Sequence, residues 1–135
     1  MSVGRHLLYC DGASRGNPGP SAIGAAIFGP DGGEPLALVS QRIGKATNNA
    51  AEYLALEAGL ERALELGVDS LLVRLDSQLL VRQMNGEYRV KAPGLRPLAS
   101  RVAALLRKFG SVEVEHVPRE SNTIADGLAN AALDS

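Results

Sequence analysis

The sequence predicts an α/β domain, a mixed sheet with helices packed on it, and three observations carry that prediction. Three short apolar runs in the first third of the chain are separated by glycine- and proline-rich turns, the pattern of antiparallel strands. Near residue 49 the apolar period lengthens to that of a helix. Beyond it, two more strand-like runs alternate with helical stretches, the order expected of crossover units. The whole reads βββαβααβα over 135 residues. It forms a single domain, 1–135, long enough to bury a core without staples.

Each element has its own signal. HLLYC (6–10) is a short apolar strand followed by the turn-rich DGASRGNPGPSAIG. AIGAAIF (22–28) and PLALVSQRI (35–43) are the next two strands, joined as a hairpin through GPDGGE. Residues 49–66 follow a helical period, with Tyr53, Leu56, Gly59, Leu60, Ala63 and Leu64 on one arc and Glu57, Glu61 and Glu65 on the other. Glu52 falls inside the apolar arc, away from the other glutamates. Gly67 ends this helix, and SLLVRLD (70–76) is a strand that terminates in Asp76. SQLLVRQM (77–84) is a short helix, and NGEYRVKAPG leads to another near 95–109. VEVEHV (112–117) alternates as the last strand, and a closing helix near 121–133 carries Asp126.

The composition is that of a globular protein, 45% hydrophobic and 21% charged, with no apolar run near the length of a membrane span. MSVGRHLLYC lacks the features of a secretory signal. The single cysteine, Cys10, has no internal disulfide partner and reads as a packed side chain. These features lead us to expect a cytoplasmic protein with no membrane partner, and a monomer is the default. The net charge of −1 conceals an asymmetry, because seven of the 14 basic residues lie between Arg82 and Lys108 with only Glu87 opposing them. Such a segment is either a solvated helix surface or a patch that follows a phosphate backbone.

Four acids stand at junctions of the pattern: Asp11, Glu52, Asp76 and Asp126. Each has an ordinary explanation. Asp11-Gly12 after a strand suits a turn, Asn49-Ala50-Ala51-Glu52 resembles a capping box, and Asp76 before a helix suits an N-cap. Asp126, within a helix, has poor propensity and no capping role. Taken together they point elsewhere. Asp11 and Asp76 end strands, where open α/β sheets place ligands, and the helices that carry Glu52 and Asp126 can pack against those ends. Gathered carboxylates share protons or hold cations. Oxygen-only ligands without Cys/His spacing suit magnesium or manganese rather than zinc.

The strings DGASRGNPGP with GAAIF, TNNAAEYLAL, DSQLLVRQMNGEY and HVPRESNTIADGLANAA, in that order, resemble type 1 ribonuclease H over roughly residues 6–132. The resemblance implies a ribonuclease H-like fold, with a five-stranded mixed sheet in the order 3-2-1-4-5 and helices on both faces. It implies an endonuclease that cuts the RNA strand of RNA/DNA hybrids, leaving 5′-phosphate and 3′-hydroxyl ends. In that reading Asp11, Glu52, Asp76 and Asp126 hold two Mg2+ ions, with Mn2+ as a possible substitute. The ions activate the attacking water and stabilise the leaving 3′ oxygen.

Asn48, Asn49 and Gln78 match positions whose amides reach the minor groove, and Ser14 and Asn17 match positions near the nucleic-acid backbone. Gly12, Gly16 and Gly19 would let the main chain approach it. His116, ten residues before Asp126, has the spacing of the family's mobile histidine, and Arg119 is the alternative. The chain departs from the family in one respect: it has no tryptophan, and only NGEYRVKAPG stands where many relatives carry a basic protrusion. Arg89 and Lys91 are then candidates for the remaining backbone contacts, and binding should fall steeply with salt. Two other functions stay open, a hybrid-binding domain without catalysis and a nuclease of the same superfold acting on double-stranded RNA or DNA junctions. The presence of all four acids argues against the first, and the NN…DSQ combination against the second.

Overall fold

The computed structural model describes residues 4–135. Strands β1 (His6–Ser14), β2 (Gly19–Gly29) and β3 (Gly32–Ala46) form an antiparallel meander. Helix α1 (Asn48–Glu65) then crosses to β4 (Ser70–Leu75), which pairs with β1 in parallel. Helices α2 (Gln78–Met84) and α3 (Arg96–Leu106) lead to β5 (Ser111–His116), parallel to β4. A 3-10 turn at Arg119–Ser121 precedes α4 (Thr123–Asp134). The sheet order is β3-β2-β1-β4-β5, the ribonuclease H-like arrangement that the resemblance implied.

Alternation along the strands sends side chains to two faces. Leu8, Cys10, Ile23, Ala25, Ile27, Leu71 and Val73 join Tyr53, Leu56 and Leu60 of α1 and Val102 of α3 in the main core. Each large aliphatic buried here contributes about 1.5–3 kcal/mol relative to exposure. Ala22, Ala132 and Leu133 form a smaller cluster beneath α4. Helices therefore cover both faces.

The element boundaries differ from the sequence reading in ways that matter for the site. β1 does not stop at Cys10, because Asp11 through Ser14 continue the antiparallel ladder, with Asp11 opposite Gly24 and Ser14 opposite Ser21. The turn is only Arg15–Pro18. Gly24 opposite Asp11, Gly12 opposite Ile23 and Ala13 opposite Ala22 keep the two strands paired through a stretch rich in glycine and alanine, and composition alone reads that stretch as a loop. The parallel ladder with β4 ends earlier, at Tyr9 opposite Arg74. β1 therefore leaves β4 just before Asp11, and a gap opens between the ends of the two central strands.

The last helix also begins later than expected. Asp126 lies in the first turn of α4, a position that the helix dipole favours for an acid. It is thus less anomalous than its sequence neighbourhood suggested.

Candidate active site

Two glycines bring the acid-bearing helices to Asp11. A β-carbon at Gly12 would lie 2.3 Å from the Ala51 carbonyl carbon and 2.5 Å from the Glu52 nitrogen. One at Gly24, across the ladder from Asp11, would lie 2.2 Å from the Ala125 oxygen. Glycine at the first position admits α1 with Glu52, and glycine at the second admits α4 with Asp126. Gly12 thus has an internal reason to be glycine, as does Gly19, whose β-carbon would collide with the Arg15 oxygen. The sequence reading had assigned both to an approach of nucleic acid.

The local alternatives for the acids fail on inspection of the caps. Thr47 caps α1, its hydroxyl accepting from the Ala50 N–H at 3.1 Å, so Glu52 is too far along to close a capping box. Asn48 and Asn49 are exposed residues of the first turn, not caps. Ser77 caps α2 through Leu80 N–H at 3.2 Å, which leaves Asp76 without that duty.

Carboxylate oxygens of Asp11, Glu52 and Asp76 lie within 4.8 Å of one another. Asp126 is a close enough neighbour of Asp11 to push its carboxyl up. All four line one open cleft with Gly12, Ala13, Ser14, Asn48, Ser77, Arg119 and Asn130. Burial, then the Asp76 charge, then the hydrogen bond with Asp126, push the Asp11 carboxyl up to about 8. Burial and Asp76 raise Glu52 to about 7, against the Ser77 hydroxyl and the Arg119 charge, which act the other way. For both acids burial and the neighbouring carboxylates outweigh whatever counter-charge is present, which for Glu52 is Arg119. An oxygen-only donor set of this spacing fits a hard divalent cation.

The remaining candidates divide between rim, turn and periphery. Asn48, Asn49 and Gln78 are exposed, Asn48 lines the cleft, and its main-chain N–H donates to Asn17 Oδ1 at 3.1 Å. Asn17 therefore fastens the β1–β2 turn to the start of α1. Ser14 donates to the Ala46 carbonyl at 3.0 Å, closing the same corner while lining the cleft. His116 ends β5 opposite Leu75, exposed and outside the cleft lining, whereas Arg119 is part of it.

Arg89 and Lys91 line a separate groove with Leu79, Gln83, Glu87, Tyr88 and Ala92. Much of the basic segment is engaged internally: Arg101 grips Glu57 with two hydrogen bonds of 2.6 and 3.1 Å, and Arg82 lies over the Tyr88 ring. Sequence reasoning missed Asn122 and Asn130. Asn130 donates to the Asp126 carboxylate at 3.2 Å from one turn further along α4. Its i, i+4 spacing from Asp126 was the available signal.

A mixed sheet in this order, with acids from β1, α1, the end of β4 and α4 meeting in one cleft, defines a ribonuclease H-like domain with a carboxylate centre. The family described as "Reverse transcriptase-like" matches residues 9–132. The chain is 48% identical to Ribonuclease HI of Halobacterium salinarum, over 97% of this chain and 65% of that protein. The crystal structure of RNase H1 from that archaeon superposes with a TM-score of 0.93, covering 97% of this chain and 98% of the other. LC11-RNase H1, isolated from compost and solved in complex with an RNA/DNA hybrid, is 41% identical, with a TM-score of 0.90 over 96% and 97% of the two chains. The bifunctional protein Rv2228c of Mycobacterium tuberculosis is 46% identical over 96% of this chain. The chain spans 35% of that mycobacterial protein and 65% of the Halobacterium one. The chain belongs to the ribonuclease H family.

Proposed function

We propose that this domain is a divalent-cation-dependent endonuclease that hydrolyses the RNA strand of RNA/DNA hybrids. The observation that carries the reading is the meeting of Asp11, Glu52 and Asp76 within 4.8 Å in an open cleft. The likeness to LC11-RNase H1, whose structure holds an RNA/DNA hybrid, supports the substrate class.

Asp11, Glu52, Asp76 and Asp126 would hold two Mg2+ ions, with Mn2+ able to replace them. When bound, such cations supply a nucleophilic water at neutral pH and offset charge on the phosphorus and leaving oxygen. A new oxygen–phosphorus bond forms in line as the bond to the 3′ oxygen breaks. That oxygen takes a proton, leaving 3′-hydroxyl and 5′-phosphate ends.

The chain's own residues fix the geometry. The two glycines hold the acid-bearing backbones close, so the carboxylates are preorganised rather than gathered on binding. Asn48, Asn49 and Gln78 present exposed amides at the rim, suited to 2′-hydroxyls and base edges of a wide minor groove. Arg119, which lines the cleft, would face the attacked phosphate. His116 at the end of β5 would have to reach in from outside to act on a proton. We assign the domain to a monomer in a reducing compartment such as the cytoplasm, consistent with its one buried, unpaired cysteine. No helix among the described residues is long and apolar enough to cross a membrane.

Asp11→Asn tests the reading. The variant should lose cleavage by at least two to three orders of magnitude while retaining hybrid affinity in a gel-shift assay. Loss of folding instead would make the acid structural.

A further inference from the structure

Asn122 combines two costs that its own neighbourhood does not explain. It occupies the N-cap position of α4, where an asparagine normally accepts a hydrogen bond from the first turn, yet its side chain makes no cap bond. It is also 1% exposed, and its Oδ1 has no partner among the described residues. An unpaired buried carbonyl is costly. Something else must hold the amide in this orientation.

Both amide hydrogens are committed. Asn122 Nδ2 donates to the Cys10 carbonyl at 2.9 Å and to Asp76 Oδ2 at 3.0 Å. Rotating the amide would set Oδ1 against these two acceptors, so the assignment is fixed by its partners. The Cys10 carbonyl lies just past the last β1–β4 pair, Tyr9 opposite Arg74, where the ladder supplies no further donor. Asn122 therefore fills the gap that opens between the two central strands. On one side it grips the residue before Asp11, and on the other the Asp76 carboxylate itself. Its main-chain carbonyl also accepts from the Asp126 N–H at 3.1 Å. One residue thus connects directly to Asp76 and Asp126, and through one peptide to Asp11.

We propose that Asn122 is the positioning residue of the cation site, clamping the splayed ends of β1 and β4 so that Asp11 and Asp76 face a common ion. The inference rests on the proposed function, because it assigns a residue to that same site. Asn122 does not line the cleft, so its effect on substrate is indirect. An outer partner that orients a ligating carboxylate typically changes metal affinity or activity by about 10–100-fold.

Asn122→Ser separates this role from a structural one. Serine is a good N-cap, so α4 keeps its start, while the shorter side chain loses the span between Cys10 and Asp76. Mg2+ and Mn2+ affinities are measured on the full chain by calorimetry and by the rise in Tm with added ion. Cleavage of a labelled RNA/DNA hybrid is followed across Mg2+ concentration.

The clamp predicts about 10–100-fold weaker ion binding, a lower kcat at limiting Mg2+ that returns as Mg2+ is raised, and an unchanged KM for hybrid. Ion affinity within twofold of the parent, or a loss that Mg2+ does not restore, would overturn it. Asn122→Ala serves as the second variant should the serine form fail to fold, read by the same ion titration. The parent titration keeps the two claims apart: a parent that binds no ion defeats the proposed function and with it this inference. A parent that binds normally beside an unaffected variant defeats the inference alone.

Discussion

At the scale of single residues, the site stores an electrostatic tension that can be read as a pH dependence. Asp11 and Glu52 are held up to about 8 and about 7 from ordinary values of 3.8 and 4.5, burial being the first cause of each. Their folded-state values exceed the unfolded ones, so they bind more protons in the folded state. Their stabilising contribution is complete below the ordinary values and is lost as pH rises through about 7 and 8. In chelator, Tm should therefore decline between about pH 5 and pH 8.5, and Asp11→Asn should flatten that decline. Millimolar Mg2+ should raise the parent's Tm most at the alkaline end, and a Tm independent of both pH and Mg2+ would contradict the assignment of these carboxylates.

Glu52 was legible as unusual, because it sits on the apolar arc of its helix. Asn122 was not. Its partners Cys10 and Asp76 are remote in sequence, and locally it reads as one more asparagine before a helix.

At the scale of elements, the site depends on how closely two helices approach one strand pair. The hairpin, the crossover helix and the final strand were legible because their apolar periods change where the structure changes. The second half of β1 was not, since a run of glycine, alanine and serine carries no alternating signal while its pairing partner is unknown. Gly24 shows what that hidden pairing does. In Gly24→Ala the new methyl meets the Ala125 oxygen at 2.2 Å and the Ala129 nitrogen at 2.7 Å, both backbone atoms that cannot swing aside. Helix α4 must lift away, at a cost of about 1–3 kcal/mol or more for overpacking. Because Asp126 moves with it, cleavage should fall further than stability alone explains. Denaturant midpoints paired with Mg2+-dependent rates check this; a rate that simply follows the folded fraction would show that the approach of α4 does not set the site.

At the scale of the whole molecule, charge and topology meet in the engagement of substrate. The net charge of −1 and the lack of a basic protrusion leave few cations for a phosphate backbone. Several residues of the basic segment are already occupied, Arg101 by Glu57 and Arg96 by the Val90 carbonyl. The sequence shows that these charges cluster, but not which are spent on the protein itself, because such pairings are set by packing between elements. Arg89 and Lys91, which line the groove beside α2, are the cations we propose for substrate contact. Arg89→Glu with Lys91→Glu should raise KM for hybrid more than it lowers kcat, and should reduce the slope of affinity against salt by about 1–2. Unchanged KM and slope would remove the segment from the interface.

The most direct test of the central claim uses one labelled RNA strand, offered alone, paired with DNA and paired with RNA, in Mg2+, Mn2+ or chelator. The account predicts cation-dependent cutting of the DNA-paired strand, with 3′-hydroxyl ends and no cutting in chelator. Tight binding to the hybrid without cutting under either ion would contradict it, and the four gathered acids would then belong to a binding domain.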